Sequence, residues 1–448
     1  MIYIDNLPPP KKTVNLSPPK LLALGFLSFI CIGTILLKLP FAHYGALSWM
    51  DALFTATSAV TITGLSVINV GQSLTPFGQV VLLTLIQIGG LGFTTFAVLA
   101  AMSLSPNLGL RQQLMAQDTL GQTSLSKAIL IAKNVFIYTV FFELIGIVTL
   151  TLFWLQEFPF VTSLHFAVFY SISAFNNAGF ALSPHGLVDF YQDYWICFTI
   201  SCLYMIGGLG FLVLMDLKKQ FRWKKLSLNS KLILMTMAGL NICAFLLIWL
   251  LEFNNPLTLG HMPVHDQIVN AWVHATVPRS SGFNTIDLAQ MHNSTTLLTM
   301  LLMFIGGGSL STAGGIKVGT FIVLAFSVVA FLRRSDEIKI FKHSISNETA
   351  FKALAVTLIT CMLIFCGFFI MLILEPNKNF LDLLFEVMSA ACTVGLSRGV
   401  TSELSPSALS LLCLLMYAGR LGPLTLAYLI ATPKKSRLKH PTTEIQIG

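Results

Sequence analysis

Four short stretches of this chain close on glycine and carry no carboxylate: Thr61-Ile62-Thr63-Gly64, Asn176-Asn177-Ala178-Gly179, Arg279-Ser280-Ser281-Gly282 and Cys392-Thr393-Val394-Gly395. Glycine lets a backbone turn its carbonyl groups in directions that are costly for other residues. A ring of such carbonyls can replace the hydration shell of a monovalent cation such as K+ or Na+. The chemistry implied is binding and passage of an ion, not bond making: no nucleophile stands beside a base, and no Cys or His spacing suits a structural metal. Arg279 is the exception, because a guanidinium aimed into such a ring would block it. The expectation is that it turns sideways and ties its loop down by hydrogen bonds.

Each stretch lies in a longer copy of one pattern: "WMDALFTATSAVTITGLS", "SLHFAVFYSISAFNNAGFALS", "NAWVHATVPRSSGFNTID" and "FLDLLFEVMSAACTVGLS". Six residues before the glycine stand Ser58, Ser173, Thr276 and Ser389; directly after it stand Leu65, Phe180, Phe283 and Leu396. The copies are too short and too mixed to cross a bilayer, so they read as re-entrant segments. Ser48 with Asp51, and Asn379 with Asp382, have the spacing of a capping box at an outer helix start. The short helices that follow would point their negative C-terminal ends at a common axis.

Apolar runs long enough to span a membrane flank these segments at 21–37, 77–102, 129–155, 195–217, 232–251, 297–332, 353–374 and 408–430. The second run of each pair carries a matching hexapeptide: "IGGLGF" from Ile88, "IGGLGF" from Ile206, "IGGGSL" from Ile305 and "AGRLGP" from Ala418. The unit is therefore span, re-entrant segment, span, repeated four times in parallel. This predicts an all-α polytopic membrane protein with a pseudo-fourfold pore. The repeats fall at 21–102, 129–217, 232–332 and 353–430, between tails at 1–20 and 431–448.

The composition agrees. Of 448 residues 55% are hydrophobic and 10% charged, and the mean hydropathy is +0.78, against about 25% charged in an ordinary soluble domain. The proline-rich start lacks the apolar core of a signal peptide and reads as a cytoplasmic tail. The eight cysteines fall mostly in apolar stretches and read as small core side chains. The net charge of +8 points to topology, not to nucleic acid. Most basic residues, including Lys218 to Lys225, Arg333 to Lys342 and Lys434 to Lys439, fall on one side, which places both termini in the cytoplasm of a multi-pass inner-membrane protein. Those basic segments are candidate docking surfaces for a partner or for anionic membrane lipids. Asp51, Glu157, Asp189, Asp193, Glu252, Asp266, Asp287, Glu375, Asp382, Glu386 and Glu403 lean to the outer side. There they either line a cation-attracting mouth or stand as scattered solvated groups.

The third repeat breaks its own second span. Gly306, Gly307, Gly308, Ser309, Ser311, Thr312, Ala313, Gly314 and Gly315 make a poorly specified helix, since each interior glycine costs about 1 kcal/mol. This is the candidate gate. Two other readings are close helix packing, as the "IGGLGF" segments suggest, and a nucleotide phosphate loop. The latter fails for want of a Gly-Lys-Ser/Thr sequence. Lys317 marks the cytoplasmic end of the break. Arg420 takes the place held by Gly90, Gly208 and Gly307 in the other repeats. A charge at membrane depth faces the protein interior with partners: carbonyls of the gate segment, or an ion pair with Glu143, the other mid-membrane charge.

Together "TITGL", "NNAGF", "PRSSGFN" and "CTVGL" in four ordered repeats resemble the membrane subunit of Ktr-type potassium uptake systems, in the Trk/Ktr/HKT superfamily of cation transporters. The resemblance runs from Leu21 to Ile430. It implies potassium uptake through a filter, no enzymatic activity and no cofactor in this chain. Glycine at the position of Gly64 goes with potassium selectivity in that family, and serine there with sodium permeation. Ser280 and Ser281 replace the family's usual threonine and alanine. The resemblance further implies a flexible gate loop below the filter, an arginine at position 420 that holds it, and a homodimer on a cytosolic RCK-type nucleotide-binding ring. A sodium-permeable or sodium-coupled symporter on the same fold is the alternative.

Overall fold

The computed structural model describes residues 18–92, 125–335, 337–341, 343–423 and 425–426. The tails at 1–17 and 427–448, and the basic residues within them, lie outside the described residues.

Each repeat opens with a long helix: Pro18–Leu37, Leu125–Trp154, Leu228–Glu252 and Asn347–Leu374. All four hold windows long and apolar enough to cross a membrane. Leu354, Leu358, Phe365, Phe369 and Ile373 remain exposed along the last of them. In water this would be a liability; in a bilayer it is the face toward lipid. The inward faces pack as a soluble core does. Trp154, fully buried, meets Phe166 and Phe190 edge-on at 5.7 Å and Tyr170 at 5.2 Å.

The long helices are followed by the re-entrant helices Trp49–Thr61, Phe160–Phe175, Val264–Thr276 and Phe380–Ala391. Ser48 and Asp51 form the expected capping box. Asn379 caps its helix through Leu381 N, but Asp382 does not complete a box there. Its carboxylate instead takes Arg398 Nε at 2.6 Å. A guanidinium outbids a backbone amide for a carboxylate because both partners are charged.

The second spans differ from expectation. They are not continuous: the helices Pro76–Leu91, Tyr194–Leu209, Asn293–Phe304 and Pro406–Leu421 stop at Gly92, Gly210, Ile305 and Gly422. The three glycines have φ of +75°, +98° and +80°, a conformation that ends a helix and that glycine alone adopts freely. After Gly210 the chain resumes as Phe211–Lys219, bent by 94°; in the third repeat it resumes as Val318–Leu332. Residues 93–102 and 427–430 of the expected spans lie outside the described residues. A two-stranded antiparallel hairpin, Ile338–Ile340 with His343–Ile345, follows the third repeat and was not expected from the sequence.

The packing half of the glycine reading holds in the same hexapeptides. A Cβ on Gly89, Gly207 or Gly419 would strike the carbonyl oxygen of Val60, Phe175 or Ala391, the last turn of the re-entrant helix in its own repeat. The repeats then join in chain order. His165 meets Gln79 at 2.7 Å, Tyr204 meets Thr276 at 2.6 Å, and Arg398 donates to Leu288 O at 2.8 Å. Tyr417 closes the circle on Ala23 O at 2.7 Å.

These close approaches set a test of the packing. Gly419→Val should cost about 1–3 kcal/mol through overpacking, seen as a lower Tm of the detergent-solubilised protein. Gly239→Ala, at an exposed helical glycine with nothing within 4 Å of an added Cβ, should leave Tm unchanged or raise it slightly.

Candidate functional site

The four glycine strands begin where the re-entrant helices end, and they share one backbone form. Two residues before each glycine the chain is left-handed: Ile62 at φ 56°, Asn177 at 59°, Ser280 at 76° and Thr393 at 48°. For the β-branched Ile62 and Thr393 this is an outlier conformation, held only because the surroundings over-determine it. The glycines follow at +92°, +70°, +70° and +88° for Gly64, Gly179, Gly282 and Gly395.

The four glycines lie within one ring. A Cβ on Gly64 would meet Ala178 O, one on Gly179 would meet Ser281 O, one on Gly282 would meet Val394 O, and one on Gly395 would meet Thr63 O, all within 3.1 Å. Each strand thus presses its glycine on the carbonyl that precedes the glycine of the next, in chain order, and the fourth closes on the first. All four glycines line a single cleft, whose walls include Ser66, Asn69, Asn284 and Ser397.

Hydrogen bonds to the helix ends hold the strands. Thr63 N, Ala178 N and Val394 N donate to the carbonyls of Ser58, Ser173 and Ser389 at 2.8, 2.7 and 2.8 Å. Ser58 Oγ and Ser389 Oγ accept from Gly64 N and Gly395 N at 3.0 and 3.1 Å, and Ser173 Oγ donates to Phe180 O at 2.8 Å. The third strand departs from this pattern. Ser281 N donates to Val277 O at 3.1 Å, and Thr276 bonds the hydroxyl of Tyr204 instead.

Three residues before each glycine the side chain anchors the strand from behind or is buried there. Thr61 Oγ1 donates to Thr57 O at 2.7 Å, and buried Cys392 packs in the core. Arg279 turns sideways, as expected, to Met237 Sδ at 3.0 Å and to Asn241 Oδ1. Asn176 Nδ2 reaches Glu143 and Gln87, each at 2.9 Å.

The glycine-rich break of the third repeat lies against this ring. Its ends are stitched together, with Gly306 N donating to Ile316 O at 2.9 Å and Ile316 N to Phe304 O at 3.1 Å. Between them the loop reaches three of the four strands. Thr312 Oγ1 donates to Asn177 Oδ1 at 3.0 Å and Gly314 N to Ser280 Oγ at 2.9 Å, while Ser280 Oγ itself donates to Thr393 O at 2.5 Å. A Cβ on Gly314 would strike Cys392 O and Thr393 Oγ1, so the approach needs glycine. Gly308 N donates to Gly208 O at 2.8 Å and Val318 N to Gly307 O at 3.0 Å. Gly315 turns at φ 66°, buried Ala313 gives its carbonyl to Lys317 Nζ at 2.5 Å, and Ser311 Oγ is buried without a partner among the described residues. The carbonyl of Ser309 lies against Gly210, at the bend of the second repeat.

Arg420 donates to Thr312 O at 2.8 Å and to Gly89 O at 2.5 Å, linking the loop to the first repeat. The ion pair with Glu143 that the sequence left open does not form. Among the described residues the Glu143 carboxyl accepts from the amides of Gln87 and Asn176. Of the outer carboxylates, Glu157, Asp189, Asp287 and Glu403 are exposed, in line with the expectation, while four others are placed differently. Glu252, Asp266 and Glu386 are buried, and Asp382 is paired with Arg398. Of the whole set, Asp287 lines the outer mouth among the described residues. Sequence reasoning missed the bridging hydroxyl of Ser280 and the link from Asn177 to Thr312; neither has a signature in residue spacing.

Residues 23–438 match the family model TrkH, described as a cation transport protein. The chain is 42% identical to Ktr system potassium uptake protein B of Bacillus subtilis, over 98% of each chain. It is 33% identical to the potassium/sodium uptake protein NtpJ of Enterococcus hirae, over 98% of this chain and 99% of that one. Its fold matches the crystal structure of the potassium transporter TrkH from Vibrio parahaemolyticus with a TM-score of 0.75 at 19% identity, over 94% of this chain and 86% of the other. Four spanning repeats around a glycine ring, and sequence similarity over nearly the whole length, place this chain in the TrkH family of membrane cation transport proteins.

Proposed function

We propose that this protein takes up potassium through the glycine ring, which acts as its selectivity filter, and that the loop at 306–317 is the gate. The observation that carries this reading is the closed contact of Gly64, Gly179, Gly282 and Gly395 with the carbonyls of their neighbours. A ring of backbone carbonyls at the ends of four helices offers a dehydrated cation both ligands and a negative potential. Potassium is the ion for which the Bacillus subtilis relative is named. The filter comprises residues 61–64, 176–179, 279–282 and 392–395, one strand from each of the repeats at 21–102, 129–217, 232–332 and 353–430.

The gate loop blocks the path from the cytoplasmic side, and Arg420 holds it through Thr312 O. Its release requires a cytosolic partner, of the RCK nucleotide-binding type, on a homodimer of this chain. The relatives named as parts of a Ktr system support a partner subunit. The exposed Phe221 and Trp223, set among Lys218, Lys219, Arg222, Lys224 and Lys225, offer it an apolar and basic surface. Both termini are cytoplasmic and the membrane is the inner one. Sodium permeation or coupling on the same filter is the second reading, favoured by the name of the Enterococcus relative.

Gly64→Ser should lower rubidium uptake into proteoliposomes about ten-fold and raise the share of sodium carried, since strain of about 1–3 kcal/mol at a left-handed position corresponds to roughly that factor. Unchanged flux and unchanged ion preference would remove the ring from the conduction path.

Arg420→Ala removes two charge-assisted hydrogen bonds, worth about 1.5–3 kcal/mol each. It should raise partner-free flux by about ten-fold or more, while deletion of 307–314 makes uptake constitutive. A flux that stays at the wild-type level in both variants would deny the loop a gating role.

A further inference from the structure

A buried carboxylate behind the second strand is not used by the reading above. Glu143 lies midway along Leu125–Trp154 and is 6% exposed. No ion pair reaches it among the described residues. A lone carboxylate in a membrane-spanning helix is expensive to keep and calls for a function.

Its partners indicate which function. Oε1 accepts from Asn176 Nδ2 at 2.9 Å and Oε2 from Gln87 Nε2 at 3.2 Å. Asn176 stands three residues before Gly179, at the root of the second strand. Its amide nitrogen also faces Gln87 Oε1 and Ile172 O, both at 2.9 Å. Two hydrogens thus face three acceptors, with the Glu143 carboxyl among them. Asn176 Oδ1 is buried with no hydrogen-bond partner among the described residues.

The surroundings are shaped around this contact. A Cβ on Gly90 would overlap the Asn176 amide, and one on Gly146 would overlap Ser171 Oγ. Ser171 Oγ donates to the backbone oxygen of Glu143 at 2.7 Å, fixing the long helix at this level. At the corresponding place the first strand uses a carbonyl of its own helix for Thr61, and the third uses the neutral groups of Met237 and Asn241 for Arg279. The second strand is the one anchored to a carboxylate. The next residue, Asn177, in the left-handed conformation, receives Thr312 of the glycine-rich loop.

We propose that Glu143 is a positioning residue: by holding Asn176 it sets where the carbonyls of the second strand stand in the ring, and so tunes ion affinity and discrimination. This rests on the filter reading of the ring. The test is uptake of rubidium and sodium by full-length protein in proteoliposomes, for wild type, Glu143→Ala, Glu143→Gln, Asn176→Ala and the Glu143→Ala/Asn176→Ala double variant. Glu143→Ala should raise the KM for rubidium about ten-fold, as expected for leaving a buried amide donor without its partner, and weaken discrimination against sodium. Glu143→Gln, which still offers an oxygen to Asn176, should recover most of both. Asn176→Ala alone should match Glu143→Ala, and the double variant should add no further change.

A Glu143→Ala protein with wild-type KM and wild-type discrimination would overturn the inference, whatever its yield. If that variant gives no protein, Asn176→Ala is read by the same criterion. Wild-type protein without selective uptake would overturn the filter reading and this inference together; selective wild-type uptake with unmoved variants overturns this inference alone.

Discussion

The close approach of four backbones to one axis is the constraint on which the rest depends. A re-entrant helix ends with carbonyls that have no helical partner, and hydrocarbon cannot supply one. They are tolerable only if buried in protein or turned to a wet path. Here the ends of three of the four re-entrant helices are wedged against a glycine of the following helix, at Gly89, Gly207 and Gly419. The strand beyond it rests on its neighbour through a second glycine. Because the contacts run from each strand to the next and close on the first, no strand can shift without displacing the carbonyl that abuts it. Packed interiors transmit such strain because they contain little free volume.

On this symmetric frame the third and fourth repeats carry the differences. Where the first, second and fourth repeats end their inner helix at one glycine, the third has a folded-back loop. The fourth replaces a glycine with Arg420, whose guanidinium reaches that loop and the first repeat at once. The deviation in one repeat is thus completed by the deviation in another. The left-handed Ser280 links them at the level of the ring, taking Gly314 N and giving its hydrogen to Thr393 O.

The ring was legible in the sequence because its requirement is compositional. Only a residue without a Cβ fits at Gly64 or Gly395, and the fourfold recurrence of that residue after a serine or threonine marks the place. The broken second spans were less legible because one hexapeptide carries two unrelated glycine roles. Gly89 admits a carbonyl and Gly92 ends the helix, and both read as the same small-residue stripe. Four of the outer carboxylates, Glu252, Asp266, Asp382 and Glu386, depart from the expectation for a different reason. Spacing says which side of the membrane Glu386 or Asp382 occupies, but not that Ser397, Thr401 and Arg398 fold back to engage them. Glu143 stood out as a mid-membrane charge, yet its partners come from residues 56 and 33 positions away, and no local pattern names them.

The two parts of the site also differ in how firmly they are held, and that difference suits the proposed division of labour. The ring is interlocked by backbone contacts that leave no room for a side chain. The loop is held mainly by single neutral hydrogen bonds, at Gly308, Thr312 and Gly314, each worth only about 0.5–1.5 kcal/mol net. Moving a two-state element from almost wholly closed to almost wholly open takes about 5.5 kcal/mol of differential binding. A few such bonds and the one that Arg420 donates to Thr312 O amount to a barrier of that order, within reach of a docking partner. The same energy spread over the ring would not open it, because displacing one strand displaces all four. A loop of glycines against a rigid ring can therefore yield while the carbonyls proposed to meet the ion stay in place.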